Sequence, residues 1–189
     1  YIIQLQSYRY NMQSYKNFFY KYLPMIIDNI NPNLKKQIII RDRGKSNWNL
    51  KKFLESRYNF LTFKDEESTK SYEDCLKQSK INIVTIFSTV FFECLRANIP
   101  TVLVLPHFNK EVFNAKTKRI LKSLKNSNIF FEDPKLAALF VNKNWENIRS
   151  WWTSKKTQNS IRLFNKNFNK KNNNFALELQ KLINKIKNT

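Results

Sequence analysis

Residues 81 to 105 read "INIVTIFSTVFFECLRANIPTVLVL". The run is long and apolar, but Glu93, Arg96 and Pro100 interrupt it, so it does not read as a membrane span. Its parts also differ in period. "KINIVTIF" is apolar at successive positions and rich in β-branched residues, the pattern of a strand buried on both faces of a parallel sheet. "TVLVL" (101 to 105) repeats that pattern, and residues from about 89 to 97 between them read as a helix. A strand, a helix and a second strand of this kind form a right-handed βαβ unit. Two buried strand faces then require helices on both sides of the sheet.

The rest of the chain continues the alternation. Met12, Tyr15, Phe19, Tyr22, Leu23, Ile26, Ile27 and Ile30 predict a helix over 9–30, kinked or restarted at Pro24. "QIIIRD" is a strand, and Ser46 or Asn47 caps a helix running to Arg57. "NFLTF" (59 to 63) is another strand, followed by an acid-opened helix in "DEESTKSYEDCLKQS". A basic amphipathic helix is expected over roughly 110–125 and a strand over 128–133. "PKLAALFVNKN", "WENIRSWWTSKKTQNSIRLFNKNF" and "FALELQKLINKIK" are helices, with a break between 165 and 174. The expected class is α/β, with a parallel sheet, helices on both faces and a helical C-terminal tail. Residues 1–150 form the sheet domain, and 151–189 are helices packing on it or extending from it.

The chain has 189 residues, 42% hydrophobic, which suits a globular domain needing neither disulfide nor metal. Cys75 and Cys94 lack metal-ligand spacing and fit a reducing, cytosolic compartment. The net charge of +20 points to an anionic partner. However, 26 of the 34 basic residues are Lys, whereas bidentate phosphate and base readout favours Arg. With 26 Asn, 18 Ile and a single Gly, the composition also carries a bias toward A- and T-rich codons. The charge is therefore read as partly coding bias and partly attraction to an anionic partner.

Ligands of such sheets sit outside the carboxyl ends of the strands. Two places qualify: Arg41 to Lys45, and Phe87 to Glu93. Ser88 or Thr89 falls at the N-cap of the 89–97 helix, where free N–H groups and the helix dipole form a phosphate seat. Glu93 lies one turn after Thr89 on the same face, where its carboxylate can accept hydrogen bonds from a ribose diol. The alternative is a plain helix cap beside a partly exposed side chain. Against it stands the cost of burying an unpaired carboxylate among apolar neighbours, which tilts the three residues toward a nucleotide clamp.

"FSTVFFECLRANIPTV" resembles the Ser-Thr-x-x-x-Glu-x-Leu signature, followed by Pro, in the C-terminal donor-binding domain of GT-B-fold glycosyltransferases. The matching residues are Ser88, Thr89, Glu93, Leu95 and Pro100. The similarity is to bacterial capsule and lipopolysaccharide transferases, including the Kdo-transferring type, and above all to a group of bacterial surface-sugar transferases. "QIIIRDRGKSNW", "NIFFEDPKLAALFVN", "WENIRSWW" and "FNKNF" extend it over about residues 12 to 170.

The resemblance implies one Rossmann-like half of a GT-B fold. Ser88 and Thr89 would hold the donor phosphate, Glu93 the ribose, and Arg41, Arg43 or Lys45 the charge of the leaving nucleotide. The families often carry a Lys-x-His-Pro-like segment where this chain has "RDRGKS", so the clamp residue is not fixed; Arg41 and Arg43 could equally form surface ion pairs with Asp42 or the acids at 65–67. The implied substrates are a nucleotide-sugar donor and a glycan or lipid-linked acceptor, with no separate cofactor and no metal. Inverting members usually draw their base from the N-terminal domain. No catalytic base is therefore assigned here, and the chain, which opens at "YIIQLQ" without Met, is read as a donor half lacking an N-terminal acceptor domain.

His107, the only His, is a further candidate contact just after a strand, although a lone His is more often structural. Trp151 and Trp152 could stack on a base or sugar; the commoner role of such a pair is to anchor a helix to the core. The 110–125 helix and the tail from 155 are strongly basic, either as solvated faces or as a peripheral contact with an anionic membrane. The implied location is cytoplasmic, at the inner membrane face. Two other readings stay open: a basic nucleic-acid-binding protein, although no recognition helix or Arg-aromatic interleaving supports specific binding, and a GT-B-like domain that has lost its chemistry.

Overall fold

The computed structural model describes residues 3–4, 18–41, 50–64, 74, 76, 78–106 and 113–169. The strands are β1 (Ile3–Gln4), β2 (Ile39–Arg41), β3 (Thr62–Lys64), β4 (Asn82–Val84), β5 (Thr101–Val104) and β6 (Phe130–Phe131). The helices are α1 (Leu23–Asn29), α2 (Pro32–Lys35), α3 (Leu50–Arg57), α4 (Thr89–Arg96), α5 (Ala115–Asn126), α6 (Pro134–Asn144), α7 (Ile148–Thr153) and α8 (Lys155–Phe168).

All ladders are parallel. β2 pairs with β1 and β3, with Ile40 opposite Ile3 and Phe63. β5 pairs with β4 and β6, with Leu103 opposite Val84 and Phe130. The ladders thus form two three-stranded sheets, β1-β2-β3 and β4-β5-β6; β1 lies beside β4, so the strands follow the spatial order 3-2-1-4-5-6. This is the doubly wound, Rossmann-like order, whose direction of winding reverses between β1 and β4.

Strand alternation divides the core into two layers. Ile83, Val102 and Val104 pack with Ile40, with Leu23, Ile26 and Ile27 of α1, with Leu54 of α3 and with Ala137, Ala138 and Val141 of α6. Val84, Leu103 and Phe130 face the other way, onto Phe91, Cys94 and Leu95 of α4, Leu121 and Leu124 of α5, and Ile161 and Phe164 of α8. Because both faces are covered, every residue of β4 and β5 is buried. The tail helices belong to these cores: Ile148 joins the first cluster, Trp152, Ile161 and Phe164 the second.

Two returns from helix to strand share one device. After α4, Asn98 adopts φ 54°; the Ile99 N–H donates to the Cys94 carbonyl at 2.9 Å and the Asn98 N–H to that of Leu95 at 3.3 Å. After α5, Asn128 adopts φ 59°, and Ile129 and Asn128 donate to Leu124 (2.9 Å) and Lys125 (3.1 Å) in the same pattern. Both are Schellman motifs, with Asn in the left-handed position where Gly is usual.

Several expected boundaries move. β1 arises from the opening "YIIQLQ", which the sequence reading left unassigned. The expected 59–63 strand begins only at Thr62, because the turn at Asn59–Phe60 stacks Phe60 on the Tyr58 ring at 5.6 Å. The strand expected through Phe87 ends at Val84. A π-helical turn, Phe18–Tyr22, precedes α1, with Pro24 in the first turn of α1. The basic helix starts at Ala115, where the Asn114 side chain accepts from the Thr117 N–H at 2.9 Å. The single helix expected over 145–168 is split by Ser154, whose extended backbone and Oγ cap α8 at the Thr157 N–H. The expected helix over 9–17 and the C-terminal "FALELQKLINKIK" lie outside the described residues.

α1 is held from both sides. Asn142 of α6 donates to the Asn29 carbonyl (2.8 Å) and accepts from the Asn31 N–H (2.9 Å). From α3, Arg57 donates to one oxygen of Asp28 and the Tyr58 hydroxyl to the other, each at 2.8 Å. Burial and the bond to Asp28 raise the Tyr58 phenol above its ordinary 10.0.

Two outcomes are expected. Asn128→Ala lowers unfolding free energy by roughly 1 kcal/mol, while Asn128→Gly leaves it unchanged or higher, as read by urea unfolding. Because the folded state holds the Tyr58 proton more tightly than the unfolded chain does, its contribution is complete below pH 10.0 and declines as pH rises above that value. A stability-pH curve of Tyr58→Phe should lack that alkaline decline.

Candidate functional site

β4 lies beside β1, and the chain leaves β4 at the carboxyl edge of the strands, where a doubly wound sheet takes its ligand. From β4 the chain passes through Thr85, Ile86 and Phe87 to Ser88, the N-cap of α4, with φ −135° and ψ 177°. Phe87 fixes this entry. Its ring lies 5.0 Å from Phe92 and 5.9 Å from Phe91 on α4, 6.3 Å from Phe113, and 6.2 and 6.1 Å from Phe164 and Phe168 on α8. The contact from Phe87, just before the cap, to Phe92 in the first turn is a hydrophobic staple.

The staple's polar counterpart is missing. Caps Asn114, Asp133 and Ser154 accept a backbone N–H of α5, α6 and α8 respectively. Ser88 makes no such bond: its Oγ is shielded from solvent and has no hydrogen-bond partner among the described residues. A Glu or Gln three residues on would complete a capping box, but that position is Phe91. A buried hydroxyl left unpaired costs about 1–3 kcal/mol. The start of α4 thus combines a rigid apolar anchor, a dipole, first-turn N–H groups without intrahelical acceptors and a hydroxyl with unused capacity.

Thr89 and Glu93 are exposed and lie one helical turn apart. The burial expected of Glu93 is therefore corrected. α4 turns Val90, Phe91, Cys94 and Leu95 inward, which leaves Glu93 on the outer stripe, and desolvation plays no part in its placement. The neighbouring Cys94 thiol is buried, and burial pushes its pKa up to about 11, so it is protonated at neutral pH and inert as a nucleophile.

Arg41 closes β2 at the same carboxyl edge, two strands from β4 and so about 10 Å away by sheet spacing. Only its backbone is described. Arg43, Lys45 and His107 lie outside the described residues, as do Asp42 and the acids at 65–67.

The tryptophans serve the opposite end of α4. The Trp152 indole N–H donates to the Asn98 carbonyl and that of Trp151 to the Ser127 carbonyl, each at 2.9 Å, so the pair ties α7 to the exits of α4 and α5. Gln158 adds a bond to the Asn98 side chain at 3.1 Å, Asn165 one to the Leu95 carbonyl at 3.0 Å, and Asn169 one to the Phe92 carbonyl at 2.9 Å. The tryptophan pair thus has the anchoring role expected as the commoner one. Sequence reasoning missed the Gln158, Asn165 and Asn169 ties and the Phe87 staple, although the Phe spacing in "FSTVFF" carried the signal for the staple.

The sequence matches the model of the LIC12162 family transferases across residues 1–183. No curated protein matches the chain. A Rossmann-like sheet with a helix start at its switch point accords with that match, and the chain belongs to the LIC12162 family of transferases.

Proposed function

We propose that the chain is the donor-binding half of a GT-B-type glycosyltransferase, moving a sugar from a nucleotide-sugar to a bacterial surface glycan or its lipid-linked precursor. The observation that carries this reading is the unpartnered Ser88 Oγ at the start of α4, at the strand edge where a doubly wound sheet takes its ligand. Membership of a transferase family supports it.

In this reading the donor phosphate sits against the first-turn N–H groups of α4. Ser88 and Thr89 donate their hydroxyl protons to it. Glu93, already solvated and free to reach outward, accepts from the ribose hydroxyls. Arg41, Arg43 and Lys45 bring positive charge to the same edge, and His107 is a further contact from the segment after β5. During transfer the bond from the anomeric carbon to the phosphate oxygen breaks and a bond to the acceptor oxygen forms. Negative charge grows on the departing phosphate, where the dipole and cations stabilise it most. No metal is needed for that balance. The acceptor proton goes to a base contributed from outside this chain, on an acceptor domain. A nucleotide-sugar donor places the reaction in the cytoplasm.

Ser88→Ala separates this role from capping. An ordinary cap loses about 1 kcal/mol when changed to Ala. Here the change removes a buried, unpaired hydroxyl, so the ligand-free protein should become more stable, by up to about 1 kcal/mol. The same variant should bind its nucleotide about tenfold more weakly. A thermal-shift panel of CMP, UMP, UDP, GDP and ADP tests both: one of them at 100 times its Kd should stabilise the wild type by about 2.7 kcal/mol. Glu93→Ala, at an exposed position, should keep its melting temperature and lose that shift. Silence of the wild type toward all five nucleotides, or a Ser88→Ala variant destabilised like an ordinary cap, would refute the donor seat.

A further inference from the structure

We infer that the outer faces of α5 and α8 form a docking surface for an anionic lipid bilayer. α5 carries Lys116, Lys118, Arg119, Lys122 and Lys125, and α8 carries Lys155, Lys156, Arg162 and Lys166; neither helix contains an acid. All nine side chains are exposed. The two helices lie on one side of the sheet and meet at Ser123 and Ser160, whose hydroxyls are 2.8 Å apart, so their outer faces adjoin. Among the described residues one of the nine, Lys125, has a carboxylate partner: Glu132 at 3.2 Å. On the other side of the sheet charges mix, as in the Arg57–Asp28 pair, and Glu55 sits among the lysines of α3. α2, α6 and α7 also lack acids, but none of them carries more than two basic residues, against five on α5 and four on α8. A coding bias toward Lys would act on all of them alike and does not explain that density on two adjoining helices.

The surface also has an apolar end. α8 runs antiparallel to α4, with Gln158 at Asn98 and Asn169 at Phe92, so its last turn reaches the start of α4. There Phe87, Phe92, Phe113 and Phe168 are each half-buried, packed edge to face or tilted in one cluster. A basic plane bordered by phenylalanines has the amphipathic make-up of interfacial membrane binding. The occupant is a lipid surface rather than nucleic acid for two reasons. Seven of the nine cations are Lys, point charges suited to mobile headgroups rather than bidentate base or phosphate readout. The rings pack against one another instead of presenting flat stacking platforms. Docking in this way brings the carboxyl edge of the sheet to the bilayer, and it does not depend on the donor seat.

The test is co-sedimentation of the full chain with vesicles of phosphatidylcholine alone or containing about 30% phosphatidylglycerol, at two salt concentrations. Binding to the anionic vesicles alone, weakened by salt, is expected. Lys118→Gln, Lys122→Gln, Lys156→Gln and Lys166→Gln combined should weaken it at least about 100-fold, since each basic residue contributes about fivefold. The same charge loss on the other side, Lys36→Gln, Lys52→Gln, Lys135→Gln and Lys143→Gln combined, should weaken it no more than about threefold. Absence of binding, equal loss in both variants, or tighter binding to a single-stranded oligonucleotide than to the vesicles at the same salt would overturn the proposal. A nucleotide thermal shift kept by the first variant would show that the donor seat stands or falls separately.

Discussion

The placement of α4 rests on the burial of both faces of β4 and β5. Val102 and Val104 point into one helical layer and Leu103 into the other, so neither layer can be removed without exposing the sheet. A two-residue alternation in a four-residue strand therefore dictates three layers. Crossover handedness then sends α4 and α5 to one side and leaves the carboxyl ends of the strands open at one edge. Position in the sheet, rather than any motif, brings Ser88 to the carboxyl edge of the strands.

A chain with one Gly must solve its helix exits in another way, and it does so with Asn. Asn98 and Asn128 take the left-handed positions after α4 and α5, at less cost than any other non-Gly residue except Asp. Asn142 and Asn165 supply donors to the carbonyls Asn29 and Leu95 near helix ends, where intrahelical partners run out. The compositional bias that inflates the Asn count is thus put to structural use. The Lys excess behaves differently: its density on the exposed faces of α5 and α8 follows no packing requirement.

The α/β class was legible because period decides it: "INIVTIF" and "TVLVL" cannot be amphipathic helices. The helix over 89–96 was legible within one residue, since Ser88 and the Ala97-Asn98 exit bracket it. β1 was not, because two residues of "YIIQLQ" form a strand only through pairing with Ile40 and Arg41, a contact far away in sequence. Ser154 was overlooked because a Ser inside a helical pattern looks neutral until Trp151 and Trp152 are committed to carbonyls on the preceding exits. In the site, the position of Ser88 and the pairing of Thr89 with Glu93 followed from spacing. The exposure of Glu93 did not, since apolar sequence neighbours on a helix point to other faces. The missing cap bond of Ser88 depends on a rotamer that no sequence rule specifies.

The two ends of α4 are treated unequally, and this is where stability and function part. Its exit is tied by the Schellman bonds at Asn98 and Ile99, by the Trp152 indole, and by Gln158 and Asn165. Its entry is held mainly by rings, around Phe87, with one bond from Asn169 to the Phe92 carbonyl and the Ser88 hydroxyl unspent. Apolar contacts can fix a backbone without consuming hydrogen-bonding groups. The staple therefore positions the first-turn N–H groups without using their hydrogen-bonding capacity or that of Ser88 Oγ. A polar cap would have made the helix more stable and its start less receptive. In the proposed donor seat, first-turn N–H groups already held in place need little reorganisation on meeting an anion, whereas Ser88 Oγ, shielded from solvent, is reached only when the side chains over it shift.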